Sequence, residues 1–63
     1  MTQKELLYME DAVSHEEVII KILEESIENL DDEALVDFME EELNIHKDMK
    51  EELMNKLEEK SNE

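Results

Sequence analysis

The sequence predicts an all-α protein: an antiparallel helical hairpin whose pattern suits pairing of two copies into a four-helix bundle. Three observations carry that expectation. The 63 residues contain no Gly, no Pro and no Cys, and 43% of them are charged against 40% hydrophobic. Without Gly or Pro nothing interrupts a helix, and Glu, Leu and Lys are good helix formers. The apolar residues recur at alternating steps of three and four, the period of one helix face. Only one stretch, Asn29-Leu30-Asp31-Asp32, reads as a break.

The first helix is expected over residues 3–29. Thr2 and Glu5 have the spacing of a capping box at its start. Ser14 and Glu17 share that spacing, but the apolar pattern runs through them, so no second start is placed there. Leu6, Met9, Val13, Ile20, Leu23, Ile27 and Leu30 form one face, flanked by Ala12 and Ile19.

The second helix is expected over residues 32–59. Asp31 serves as its cap, with Asp32 and Glu33 in the positive first turn. Leu30 and Leu35 fit a hydrophobic staple around that cap. The expected core face is Leu35, Phe38, Met39, Ile45, Met49, Leu53 and Leu57. Lys56 and Lys60 place cations at the negative helix end. A link this short makes the helices antiparallel neighbours within a single domain.

Further apolar residues lie off these faces. Leu7, Val18 and Ile22 on the first helix, and Val36, Leu43 and Met54 on the second, form the expected dimer interface. A lone hairpin leaves much of each apolar face wet, which favours self-association as a homodimer.

Charge excludes several functions. Six Lys stand against 21 Asp and Glu, a net charge of −15. That field repels nucleic acid and anionic lipid. No apolar run approaches membrane-spanning length, and no basic-then-apolar leader opens the sequence, so a cytoplasmic address is expected. The absence of Cys removes disulfides and thiol chemistry. A basic protein remains a suitable partner for an acidic adaptor.

Three polar residues fall on the apolar faces. The walk Leu6, Met9, Val13 lands next on Glu16, and the second helix carries Glu42 and His46 at i, i+4 on one face. If the turn centres between Leu30 and Asp31, Glu16 lies roughly 1.5 Å along the axis from His46 and roughly 4.5 Å from Glu42. The three therefore share one central layer.

Two chemistries fit such a layer. Ferritin-like di-iron and di-manganese proteins use one Glu from each of two helices and a Glu-x-x-His pair from each of the others. Two copies of this layer would supply four carboxylates and two imidazoles, which suit Fe, Mn or Zn. Here the pair is spaced by four residues instead of three. The alternative is a hydrogen-bonded structural layer in which Glu16 accepts from His46 and sets the register. His15 reads as a flanking residue and Tyr8 as an edge packing residue. Met9, Met39 and Met49 read as core filler. Glu40 and Glu41 read as a solvated face. A hydrolytic carboxylate pair needs a cleft, which two helices do not supply, so hydrolysis is not expected.

The strings Leu7-Tyr8-Met9-Glu10-Asp11-Ala12 and His15-Glu16, followed by Glu42 and His46, resemble short spore-coat-F-like proteins of spore-forming Firmicutes. The resemblance covers most of the chain and implies a ferritin-like helical fold and a coat-associated role, with coat proteins as partners. The turn Pro and helix-interior Gly usual in that group are absent. The expected function is thus a small acidic assembly protein acting as a dimeric bundle, with the carboxylate and His metal site, for storage or oxidase-type chemistry, as the alternative.

Overall fold

The computed structural model describes residues 1–61. Two helices, α1 (Gln3–Asn29) and α2 (Glu33–Ser61), pack against each other as a hairpin. The backbone fills a slab of 47 × 14 × 11 Å. Among the described residues no helix is long and apolar enough to cross a membrane.

The start of α1 follows the expected chemistry. The Glu5 N–H donates to Thr2 Oγ1 at 3.1 Å, and the Thr2 N–H donates to Glu5 Oε1 at 2.8 Å. Two amides that lack helical partners are thereby satisfied. The Thr2 N–H, and after it the Thr2 hydroxyl, hold the Glu5 carboxyl below its ordinary range, because an ionised carboxylate is the better acceptor.

The end of α1 needs no glycine. Leu30 is extended, with φ −100° and ψ 138°, and no residue has a positive φ among those described. The Leu30 N–H turns back to the Ile27 carbonyl, and the Asn29 side-chain amide adds a second donor to the Glu25 carbonyl at 2.7 Å.

The cap of α2 is Asp32, not Asp31. Asp32 Oδ1 accepts from the Ala34 and Leu35 amides at 2.9 and 3.2 Å. Its carbonyl accepts the first helical bond, from the Val36 N–H. A capping side chain must reach the amides two and three residues ahead, and Asp32 does so. The helix therefore starts at Glu33, one residue later than expected, and runs two residues further, to Ser61. With Asp32 as cap, Leu30 is no longer adjacent to it, so the staple with Leu35 does not apply.

The two helices differ in how well their faces match expectation. On α1, Val13 is buried, and Leu6, Met9, Ile20, Leu23, Ile27 and Leu30 are half-buried as predicted. On α2 the phase is rotated. Val36, Met39, Leu43, His46, Lys50, Leu53 and Leu57 are the half-buried residues of a stripe with three-four spacing. Leu35, Phe38, Ile45 and Met49, predicted as core, are 43% to 57% exposed. Val36 and Leu43 leave the proposed outer stripe for the seam, whereas Leu7, Val18, Ile22 and Met54 are exposed.

The reason lies in the sequence of α2. It carries two stripes of equal spacing, offset by one residue and so by about 100°. The one that faces α1 contains Lys50, which a search for apolar residues passes over. A lysine is tolerated at such a position because its alkyl stem covers apolar surface while the ammonium reaches water.

Candidate functional site

Glu16 reaches the seam by the spacing that places Val13 and Ile20 there, and it is 8% exposed. A buried carboxylate is costly unless paired. His46 on α2 supplies the partner: its Nδ1 lies 2.5 Å from Glu16 Oε2. A carboxylate oxygen accepts, so the imidazole Nδ1–H is the donor. The other ring nitrogen, Nε2, lies 3.9 Å from Glu42 Oε2, one turn back along α2.

The structure thus brings Glu16 and His46 into direct contact and sets Glu42 beside them. The pair lies within one residue of the axial level expected for it. No buried side-chain nitrogen or oxygen among the described residues is without a hydrogen-bond partner. His15 is exposed and outside the seam. Tyr8 is exposed too, with the Lys4 ammonium 5.9 Å from its ring centre, so it is a surface residue and not core packing.

The donor set does not close around a cation within one hairpin. Both ring nitrogens of His46 face carboxylates, and among the described residues no group of three or more His, Asp or Glu is arranged to hold a metal ion. The shallow depressions on the surface lie elsewhere. One is lined by Lys47, Lys50 and Met54, another by Met1, Tyr8 and Lys60.

A second contact across the hairpin escaped the sequence reading. Lys50 Nζ lies 3.9 Å from Glu17 Oε1. The signal was present: Lys50 continues the series Met39, Leu43, His46 at the next step of four. This pair is partly exposed, so it adds little stability. Its value is diagnostic, since it marks Lys50 as lying beside α1.

In comparisons with known proteins, the chain matches no family model, no curated protein and no solved structure.

Proposed function

We propose that this chain is a small acidic assembly protein that works by self-association, two hairpins forming a four-helix bundle. One observation carries the reading. Among the described residues Val13 is the single buried hydrophobic side chain, while ten large apolar residues are exposed. A hairpin with so little buried has little to offset its ordering entropy, and a second copy supplies the missing burial. The resemblance to spore-coat-F-like proteins supports a coat-associated role.

Sedimentation equilibrium tests it. A mass near twice 7.5 kDa at micromolar concentration is expected. A stable, cooperatively melting monomer would refute it. Added NaCl should tighten the assembly, because screening weakens repulsion between chains of −15.

A second reading, a Glu and His site for Fe, Mn or Zn, is favoured by the meeting of Glu16, Glu42 and His46 in one layer. A single hairpin gives no cage, so this reading requires donors from two copies. Its test is thermal: Fe(II), Mn(II), Co(II) or Zn(II) should raise the melting temperature by binding the native state. The effect should vanish in Glu16→Leu. If no divalent ion shifts the wild-type curve, the metal reading fails and the layer is structural.

A further inference from the structure

A helix in a four-helix bundle touches two neighbours, so it needs two seams. Both helices of this hairpin carry two. On α1 the seam against α2 runs through Leu6, Val13, Glu16 and Ile20. One residue back, at the same three-four spacing, lie Tyr8, Ala12, His15, Ile19, Ile22 and Ser26. On α2 the seam runs through Met39, Leu43, His46 and Lys50. One residue back lie Leu35, Phe38, Glu42, Ile45 and Met49.

These second stripes share one flank of the molecule. Each helix turns right-handed about its own axis, and the axes run in opposite directions. Stepping one residue back from the seam therefore carries both helices outward to the same side. Stepping one residue forward leads to the other flank. There α1 presents Glu10, Glu17, Lys21 and Glu24, and α2 presents Asp37, Glu40, Lys47 and Glu51. The first flank is mainly apolar along Tyr8 to Ile22 and Leu35 to Met49, with Glu5, Glu52 and Lys56 towards its far end; the second is mainly charged, with Leu7 and Met54 among its acids and lysines.

Resting on the self-association reading, we infer that the second copy docks on the flank marked by Phe38, Ile45 and Met49, and not on the back of α1 at Leu7 and Val18. Area supports it. Docked along its full length, a face of 47 × 14 Å offers at most roughly 650 Å² per copy, roughly 1,300 Å² for two, with the Leu35 to Met49 stretch at its centre and the Glu52 and Lys56 end at its rim. Stable interfaces bury about 1,200–2,000 Å². Charge supports it as well. From Leu35 to Met49 the stripe carries Glu42 as its one charged residue, on a chain of −15. A basic partner would be steered to the charged flank, whereas this one suits a copy of itself in a two-fold, self-complementary contact. The same docking covers Glu42, whose side chain is 38% exposed beside His46.

Charge-insertion variants followed by sedimentation equilibrium and circular dichroism decide the matter. Ile45→Glu should weaken self-association by about 100-fold, since a buried carboxylate without a partner is strongly unfavourable. Val18→Glu, on the back of α1, should leave the dimer mass unchanged. Should Ile45→Glu lose helicity, Phe38→Ala carries the test, adding no charge and weakening association by about 10-fold. If Val18→Glu dissociates the dimer while Phe38→Ala and Ile45→Glu do not, the docking face is wrong and self-association stands. If the wild-type chain is a folded monomer that gains mass with added polylysine alone, the partner is basic and both readings fall.

Discussion

Helix α1 and helix α2 are nearly equal in length, yet the face of one was legible and that of the other was not. On α1 the main stripe is apolar from Leu6 to Leu30 with Glu16 as its single charged residue, while its neighbour contains His15 and Ser26. On α2 the two stripes are close rivals: one carries His46 and Lys50, the other Glu42, Glu52 and Lys56. Counting apolar residues cannot separate such rivals. The partner helix does, because the buried carboxylate of α1 requires a donor, and His46 is available in one phase only.

The sharpest way to break this comparison is to remove that donor. His46→Leu leaves Glu16 in the seam without its hydrogen bond and should cost about 3 kcal/mol, near the lower end for breaking a buried pair. Glu16→Leu should be near neutral or stabilising, since an apolar residue replaces a desolvated charge. Urea denaturation of both variants measures the difference. Equal losses would mean that the pair is not what fixes the phase of α2.

The rotation itself is tested next. Leu43→Ala should lower stability by about 2 kcal/mol, the low end for a leucine because the site is half-buried. Lys50→Leu should raise the melting temperature, because the seam gains an apolar residue and loses only a weak pair to Glu17. If α2 packed through Ile45 and Met49 instead, Leu43→Ala would be mild and Lys50→Leu would merely add exposed leucine.

The caps give smaller effects. Asp32→Ala should cost about 1 kcal/mol, while Asp31→Ala should stay within about 0.5 kcal/mol in the same thermal melts. At the other helix start, the sign follows from Glu5. Its carboxyl is held below the ordinary value, so its contribution is complete above that value and lost as pH falls through the depressed one. The destabilisation caused by Glu5→Ala should therefore shrink on acidification below about pH 4. A penalty independent of pH would count against the charged half of the capping box. Least of all should be Lys56→Ala, whose exposed i, i+3 pair with Glu59 spans 3.8 Å. Less than about 0.5 kcal/mol is expected.

The extent to which the sequence could be read follows from the range of each interaction. The Thr2 and Glu5 box is local, and its residues sit at a fixed spacing, so it was visible. The level of Glu16 and His46 followed from chain length and helical rise once the turn was placed. Asp31 and Asp32 differ only in which amides their side chains reach, a matter of backbone angles that composition does not encode. Lys50 is not legible from residue type, since a search for apolar residues passes over lysine, although its stem is apolar and its position regular. The meeting of Glu42 with His46 was legible from the i, i+4 spacing. Where the ring nitrogens point was not, since that depends on the side-chain rotamer.

The Glu16 to His46 bond also shapes the folding landscape. Repeating stripes are self-similar: sliding one helix by seven residues, about 10 Å, again lays apolar against apolar. In either shifted state Glu16 would face the level of Met39 or Leu53 and keep its buried carboxylate unpaired, at a cost of several kcal/mol. A purely aliphatic seam would deepen every such minimum together. The Glu16 to His46 contact instead lifts the competitors and leaves the native one in place, widening the gap that lets a repetitive sequence settle in one basin.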